Sequence, residues 1–172
     1  IVWLHSDGFN ENQVNHVIPH ISTRNYLATG IRAPRANDAS GHRFGWGDSE
    51  AALESAEQSI LTAIDRAASQ FSLHAERILI AGYQDGGTTA LRMAMRHPEL
   101  FAAAVSLGGG FPALRTSEID MERLGSRRLP MLWQRSIHSP AYCEHQLIDD
   151  AELAMAAKVR LEIRQYRNED EM

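Results

Sequence analysis

Apolar positions along the chain follow two alternating rhythms. Short apolar runs bounded by turn residues, at Ile1 to Leu4, Tyr26 to Ile31, Arg77 to Ala81, Ala102 to Leu107, Met131 to Trp133 and Leu161 to Tyr166, read as strands. Between them lie segments with helical spacing: Asn12 to Ile21, Ser49 to Phe71, Thr88 to Arg96 and Ala141 to Lys158. Ser49 to Phe71 is the longest, with Leu53, Ala56, Ile60, Ile64, Ala67 and Phe71 on one stripe and Glu54, Glu57, Asp65 and Arg66 off it. Asp48 or Ser49 is placed to cap it. His97-Pro98 ends the helix before it, because the residue preceding proline leaves the helical region. Strands alternating with helices predict right-handed crossovers and a mainly parallel sheet of about six strands with helices on both faces, an α/β three-layer sandwich. Two long loops, Ala33 to Gly47 and Gly108 to Ser117, are expected at the carboxyl ends of strands, where open sheets bind ligands.

Composition narrows the picture without redirecting it. The 172 residues fit a single domain, 1–172, and no internal repeat divides them. With 17 basic and 22 acidic residues the formal charge is −5, and no basic stripe forms, which disfavours nucleic acid as a partner. The one cysteine, Cys143, excludes an internal disulfide. It opens a helix, where the dipole lowers a thiol pKa, yet no elbow accompanies it, and it reads as inert. No run approaches the roughly 18 apolar residues of a membrane span, and no signal peptide begins at Ile1. The expectation is a cytoplasmic protein, unless a leader precedes Ile1.

The chemistry concentrates in Ile78-Leu79-Ile80-Ala81-Gly82-Tyr83-Gln84-Asp85-Gly86-Gly87, a buried strand turning sharply into a helix. Gly82 and Gly86 hold the small positions two before and two after residue 84, the spacing of a nucleophile elbow, G-x-S-x-G. Gln84 therefore sits at the tip. Placing Asp85 there instead puts Tyr83 where a small residue is required, which rejects an aspartate nucleophile. Five further segments stand in order around it, two before, Leu4-His5-Ser6-Asp7-Gly8 and Arg32-Ala33-Pro34-Arg35, and three after, Arg96-His97-Pro98-Glu99-Leu100-Phe101-Ala102, Ser106-Leu107-Gly108-Gly109-Gly110-Phe111-Pro112 and Pro130-Met131-Leu132-Trp133-Gln134. Through this ordered set the chain resembles α/β-hydrolases of the carboxylesterase, phospholipase and acyl-protein thioesterase type, over nearly its whole length. Against that resemblance it is short: the N-terminal strands and C-terminal helix that flank such a domain are expected outside these residues.

The resemblance implies a Ser-Asp-His triad, a backbone oxyanion hole and no cofactor. In such enzymes the acid follows the penultimate strand in an Asp-Pro step, and the histidine follows the last strand a few residues after a tyrosine. Here those places read Ser139-Pro140 and Tyr166-Arg167-Asn168-Glu169-Asp170, so Gln84, Ser139 and Asp170 stand at the three triad positions. A carboxamide is neither a nucleophile nor a proton donor at neutral pH. The oxyanion hole depends on backbone N–H groups, which substitution spares. Asp85 is placed to supply one, and Ser6 or Asp7 the other. The carboxylates of Asp7 and Asp85 would repel an anion there, or serve only as solvated loop and helix N-terminal residues.

Candidates for the pocket are His5, Trp46, Tyr83, Phe111 and His138. His5 reads as a hydrogen-bonding residue of the oxyanion loop. His138, beside the acid position, either projects into the pocket as a relocated base or stays at the surface. His42 and Trp46 line a cleft mouth or order their loop by aromatic packing. His16 and His20 are four apart, but Pro19 intervenes and no carboxylate completes a set, so no metal is expected. Three outcomes remain open. The chain is a catalytically silent binding or interaction domain for a small acyl or ester-like ligand or for a protein partner, including an oligomer or larger chain. It is a carboxylic-ester or thioester hydrolase with a relocated base, His138 or His5, activating water. Or it is a scaffold whose pocket has closed behind Tyr83, Gln84 and Phe111.

Overall fold

The computed structural model of the chain describes residues 1–22, 24–112, 119–138 and 144–167. Six parallel strands form the sheet: β1 (Val2–Leu4), β2 (Thr29–Ile31), β5 (Leu79–Tyr83), β6 (Ala103–Leu107), β7 (Met131–Ser136) and β8 (Leu161–Tyr166). Their order is β2-β1-β5-β6-β7-β8. Register pairs Leu4 with Gly82, Gly82 with Ser106 and Ser106 with Trp133, so one row of small and large side chains crosses the middle of the sheet.

The chain leaves β1 in one direction to make β2 and then advances the other way through β5, β6, β7 and β8. Right-handed crossovers therefore place the connecting helices on opposite faces. Among the described residues α1 (Val14–Ile21) lies alone on one face; α2 (Glu50–Gln70), α3 (Asp85–Arg96), α4 (Met121–Arg127) and α5 (Glu144–Ala156) take the other. The core sits under those four helices. Val2, Leu4, Ile80, Ala104, Met131 and Trp133 from the strands meet Leu53, Ile60, Ile64, Leu91, Met95 and Leu124 from the helices, all buried. Each of these side chains larger than alanine contributes roughly 1.5–3 kcal/mol by leaving water. Arg96 adds ion pairs to Glu57 (3.1 Å) and Glu50 (3.5 Å) that fix α3 against α2.

The structure resolves one open choice and corrects three expectations. Ser49, not Asp48, caps α2, its hydroxyl accepting from the Ala52 N–H at 3.3 Å. α3 starts at Asp85 rather than Thr88: Gly86 and Gly87 are weak helix formers, but packing fixes them in the first turn. The segment Ala33 to Gly47 is not all loop, since β3 (Arg35–Ala36) and β4 (Phe44–Gly45) pair antiparallel within it. α4 was not foreseen, because its seven residues bury only Leu124 and Gly125 and carry almost no periodic signal. Ser139, Cys143 and Asp170 lie outside the described residues.

Candidate functional site

The site is built where β1 and β5 end side by side. At the tip of the β5 turn Gln84 has φ 50° and ψ −122°, a combination that a side chain strains to adopt. Main chain holds it there. The Gln84 N–H donates to the Leu107 carbonyl at 2.8 Å, and its own carbonyl accepts from the Thr88 N–H at 3.0 Å. A Cβ at Gly82 would fall on the backbone of Gly86, and one at Gly86 would fall on the carbonyl oxygens of Leu4 and His5. A Cβ at Gly109 would strike the Gln84 carbonyl. That glycine loop is fastened from beneath, where the Trp133 indole donates to the Gly109 carbonyl at 2.7 Å and the Thr88 hydroxyl to the Gly110 carbonyl at 2.8 Å. The Gln84 carboxamide forms no hydrogen bond with a described residue. Immediately after it, the Asp85 N–H opens α3 and has no intrahelical acceptor.

The loop after β1 is held by side chains instead. His5 is fully buried. Its Nε2 accepts the Ala33 N–H at 3.1 Å, so the ring proton is on Nδ1, which donates to the Ser6 carbonyl at 2.7 Å. Burial pushes its pKa below the usual histidine value, partly offset by that hydrogen bond and by Glu11 and Asp7. The His5 carbonyl accepts from the Trp46 indole at 2.7 Å, with the two rings 5.2 Å apart. The Gln13 carboxamide takes both the Ser6 N–H (3.2 Å) and the Trp3 indole (3.1 Å) on its oxygen, and donates to the Ser6 hydroxyl at 3.1 Å. Asn37 donates to both carboxylate oxygens of Asp7 at 3.2 Å, tying this loop to the β3–β4 hairpin. Glu11 binds Arg32, whose guanidinium lies 4.7 Å over the Phe44 ring.

These contacts sort the expected site residues. Ser6 is not free to donate into the cleft, because Gln13 already accepts its N–H; Asp7 is the remaining candidate beside Asp85. His5 has both nitrogens engaged away from solvent and cannot serve as a base. Trp46 is buried against His5, so it orders the loop rather than lining a mouth. Phe111 is buried on Trp133, ring centroids 5.0 Å apart. Tyr83 points to the α1 face, where it borders an apolar groove of about 540 Å³ with Trp3, Val17, Ala81 and Leu107. His42 is exposed at the hairpin tip, its carbonyl accepting from Asn10 at 2.9 Å. His138 is exposed at the carboxyl end of β7, where its N–H meets the Ser136 hydroxyl at 3.2 Å.

Charge completes the description. Asp85 has a raised pKa, from partial loss of solvent first and then from the carboxylates of Asp7 and Asp48. Its side chain is solvent-exposed, so the effect is modest. Among the described residues no group of three or more His, Cys, Asp or Glu side chains is placed to hold a metal ion. Gln13 and Asn37, which fix the first loop, escaped sequence reasoning because nothing in their spacing marks a side chain that folds back on a neighbouring loop.

The family profile described as esterase PHB depolymerase matches residues 9–143. The chain belongs to that family. No curated protein sequence matches this esterase-family chain. Among solved structures it is similar to a carboxylesterase from Mesorhizobium loti, with 14% identity and a TM-score of 0.76 over 97% of this chain and 79% of that one. It is also similar to the Bacillus cereus carboxylesterase, with 15% identity and a TM-score of 0.73 over 98% of this chain and 79% of that one. A third likeness is to YahD, solved with malic acid, with 17% identity and a TM-score of 0.69 over 96% of this chain and 82% of that one. At these identities the likeness shows the α/β-hydrolase fold. Among the described residues no helix is long and apolar enough to cross a membrane.

Proposed function

We propose that this esterase-family chain is catalytically silent and acts as a binding or interaction domain, presenting the elbow cleft to a small acyl or ester-like ligand. The observation that carries this reading is Gln84 at the strained tip, φ 50°, where ester hydrolysis needs a nucleophile. An enzyme stripped of its triad keeps only the roughly 10³ to 10⁴-fold acceleration that binding and the oxyanion hole supply. Ser139 and Asp170 at the other two triad positions support the same conclusion from sequence. Asp7 and Asp85 bring negative charge to the cleft, while Asp48 is paired with Arg92; this favours a neutral ester over a free dicarboxylate such as the malic acid with which YahD was solved.

A second reading keeps hydrolysis with His138 as a relocated base. It rests on the place of that histidine at the carboxyl end of β7, beside the acid position; its surface exposure counts against it, and the buried His5 is lost as an alternative. Hydrolysis of short p-nitrophenyl esters by the wild type, Gln84→Ala and His138→Ala separates the two. The silent reading expects no more than that residual acceleration, about 10³ to 10⁴-fold over buffer, at an equal level in all three. Wild-type turnover that survives Gln84→Ala and disappears in His138→Ala would replace it with the relocated-base enzyme.

A further inference from the structure

Two edges close the sheet, and they differ. β2 is three residues long and includes Gly30; β8 runs six residues without proline, glycine or bulge. The carbonyls of Arg160 and Tyr166 accept from the N–H groups of Met131 at 2.9 Å and Ile137 at 2.8 Å. Even-numbered residues of β8 therefore face β7, and the odd-numbered ones turn their peptide groups outward. Among the described residues no strand pairs with that outer edge. The N–H and C=O of Ile163 and Gln165 and the C=O of Leu161 are thus available to another strand, the arrangement by which sheets recruit partners.

The side chains on this edge are complementary to themselves. Glu162 and Arg164 are exposed on the α1 face and pair with each other at 2.7 Å; Leu161 and Ile163 pack toward the core under α5. We propose that β8 is the surface through which two copies of this chain associate, pairing antiparallel about a two-fold axis at Ile163. In that register Ile163 exchanges both peptide hydrogen bonds with the partner's Ile163, and Leu161 stands opposite the partner's Gln165. Glu162 stands opposite the partner's Arg164, and Arg164 opposite the partner's Glu162. These two pairs occupy non-hydrogen-bonded positions, where side chains approach most closely.

The charges also exclude the neighbouring registers. Outward peptide groups are odd-numbered, so registers can change only by moving one strand two residues along the other. One such shift sets Glu162 against the partner's Glu162 and Arg164 against the partner's Arg160; the opposite shift sets Arg164 against the partner's Arg164. Like charges directly opposite are destabilising. A strand pair of this length falls short of the roughly 1,600 Å² of a standard stable interface, so the association is reversible and concentration-dependent.

Sedimentation velocity of the full chain over a concentration series tests this. The wild type is expected to move from the mass of one chain toward two. Glu162→Arg and Arg164→Glu each set like charges opposite and weaken association about tenfold or more. An equimolar mixture of those two variants restores the pair, because each brings the charge the other lacks. Ile163→Pro removes an outward N–H together with part of the Ile163 packing, leaves the β7 ladder intact and abolishes pairing, with an unchanged far-UV spectrum showing that the fold is retained. A one-chain mass at every concentration overturns the proposal, as does a dimer that survives Glu162→Arg and Ile163→Pro.

Discussion

The two loops that meet at the cleft are held by different means. The elbow after β5 rests on main chain and on the absence of side chains: Gly82, Gly86 and Gly109 leave room for backbone, and Gln84 is pinned through its own N–H and carbonyl. The loop after β1 rests on side chains, with Gln13 under Ser6 and Trp3, Trp46 on the His5 carbonyl, and Asn37 on Asp7. A frame of main chain is indifferent to the residue at its tip. The geometry of the turn therefore holds with a glutamine at its tip, and by itself carries no information about activity. A frame of side chains has the opposite property, for one substitution distant in sequence releases it.

Breaking each frame in turn gives effects of different size. Gly86→Ala should be the most damaging, since its Cβ has only the immovable carbonyls of Leu4 and His5 to push against. A loss of about 3 kcal/mol or failure to fold is expected, read from urea denaturation. Gln13→Ala should cost about 2 kcal/mol, because the Trp3 indole and the Ser6 N–H are left buried without an acceptor. A near-neutral Gln13→Ala would mean that water replaces the carboxamide and that the first loop is not side-chain-held. Gln84→Gly reverses the sign. Glycine adopts φ 50° without strain, so the variant should gain about 1 kcal/mol, and a loss instead would show that the glutamine side chain itself supports the turn.

The same division explains what could be read from sequence. The six sheet strands and α2 stood out because burial imposes a period, and the elbow because small residues at fixed offsets are required by backbone contact. Two-residue strands such as Arg35–Ala36 and Phe44–Gly45 are too short to alternate, and α4 has one buried leucine in seven residues, so neither left a pattern. On the elbow side the place of the Asp85 N–H, directly after the turn's tip, follows from the glycine spacing. Whether Ser6 or Asp7 donates depends on where the Gln13 side chain lies seven residues later, and side-chain folding of that kind leaves no periodic trace. His5 and Trp46 were recognisable as residues of the site's loops, but their inward direction follows from the Ala33 N–H and the His5 carbonyl, partners visible only in three dimensions.

The gentlest probe compares the charges that the two frames bring together. Asp85 belongs to the elbow and Asp7 to the side-chain-held loop, and the pKa of Asp85 is raised by partial desolvation and by Asp7 and Asp48. A carboxyl whose folded pKa exceeds its unfolded value, about 3.9, binds more protons when folded. Its contribution is therefore favourable below that unfolded value and is lost as pH rises through the folded one, leaving a small penalty at neutrality. Asp85→Asn removes the charge while keeping the shape. The variant should be slightly more stable than wild type at pH 7.5, with the difference fading toward pH 4 and shrinking in high salt, because Asp85 is exposed and screened. Urea midpoints at the two pH values decide it. An equal difference at both would assign the effect to lost packing or capping at the start of α3, and a less stable variant at pH 7.5 would mean that the helix dipole outweighs the two neighbouring carboxylates.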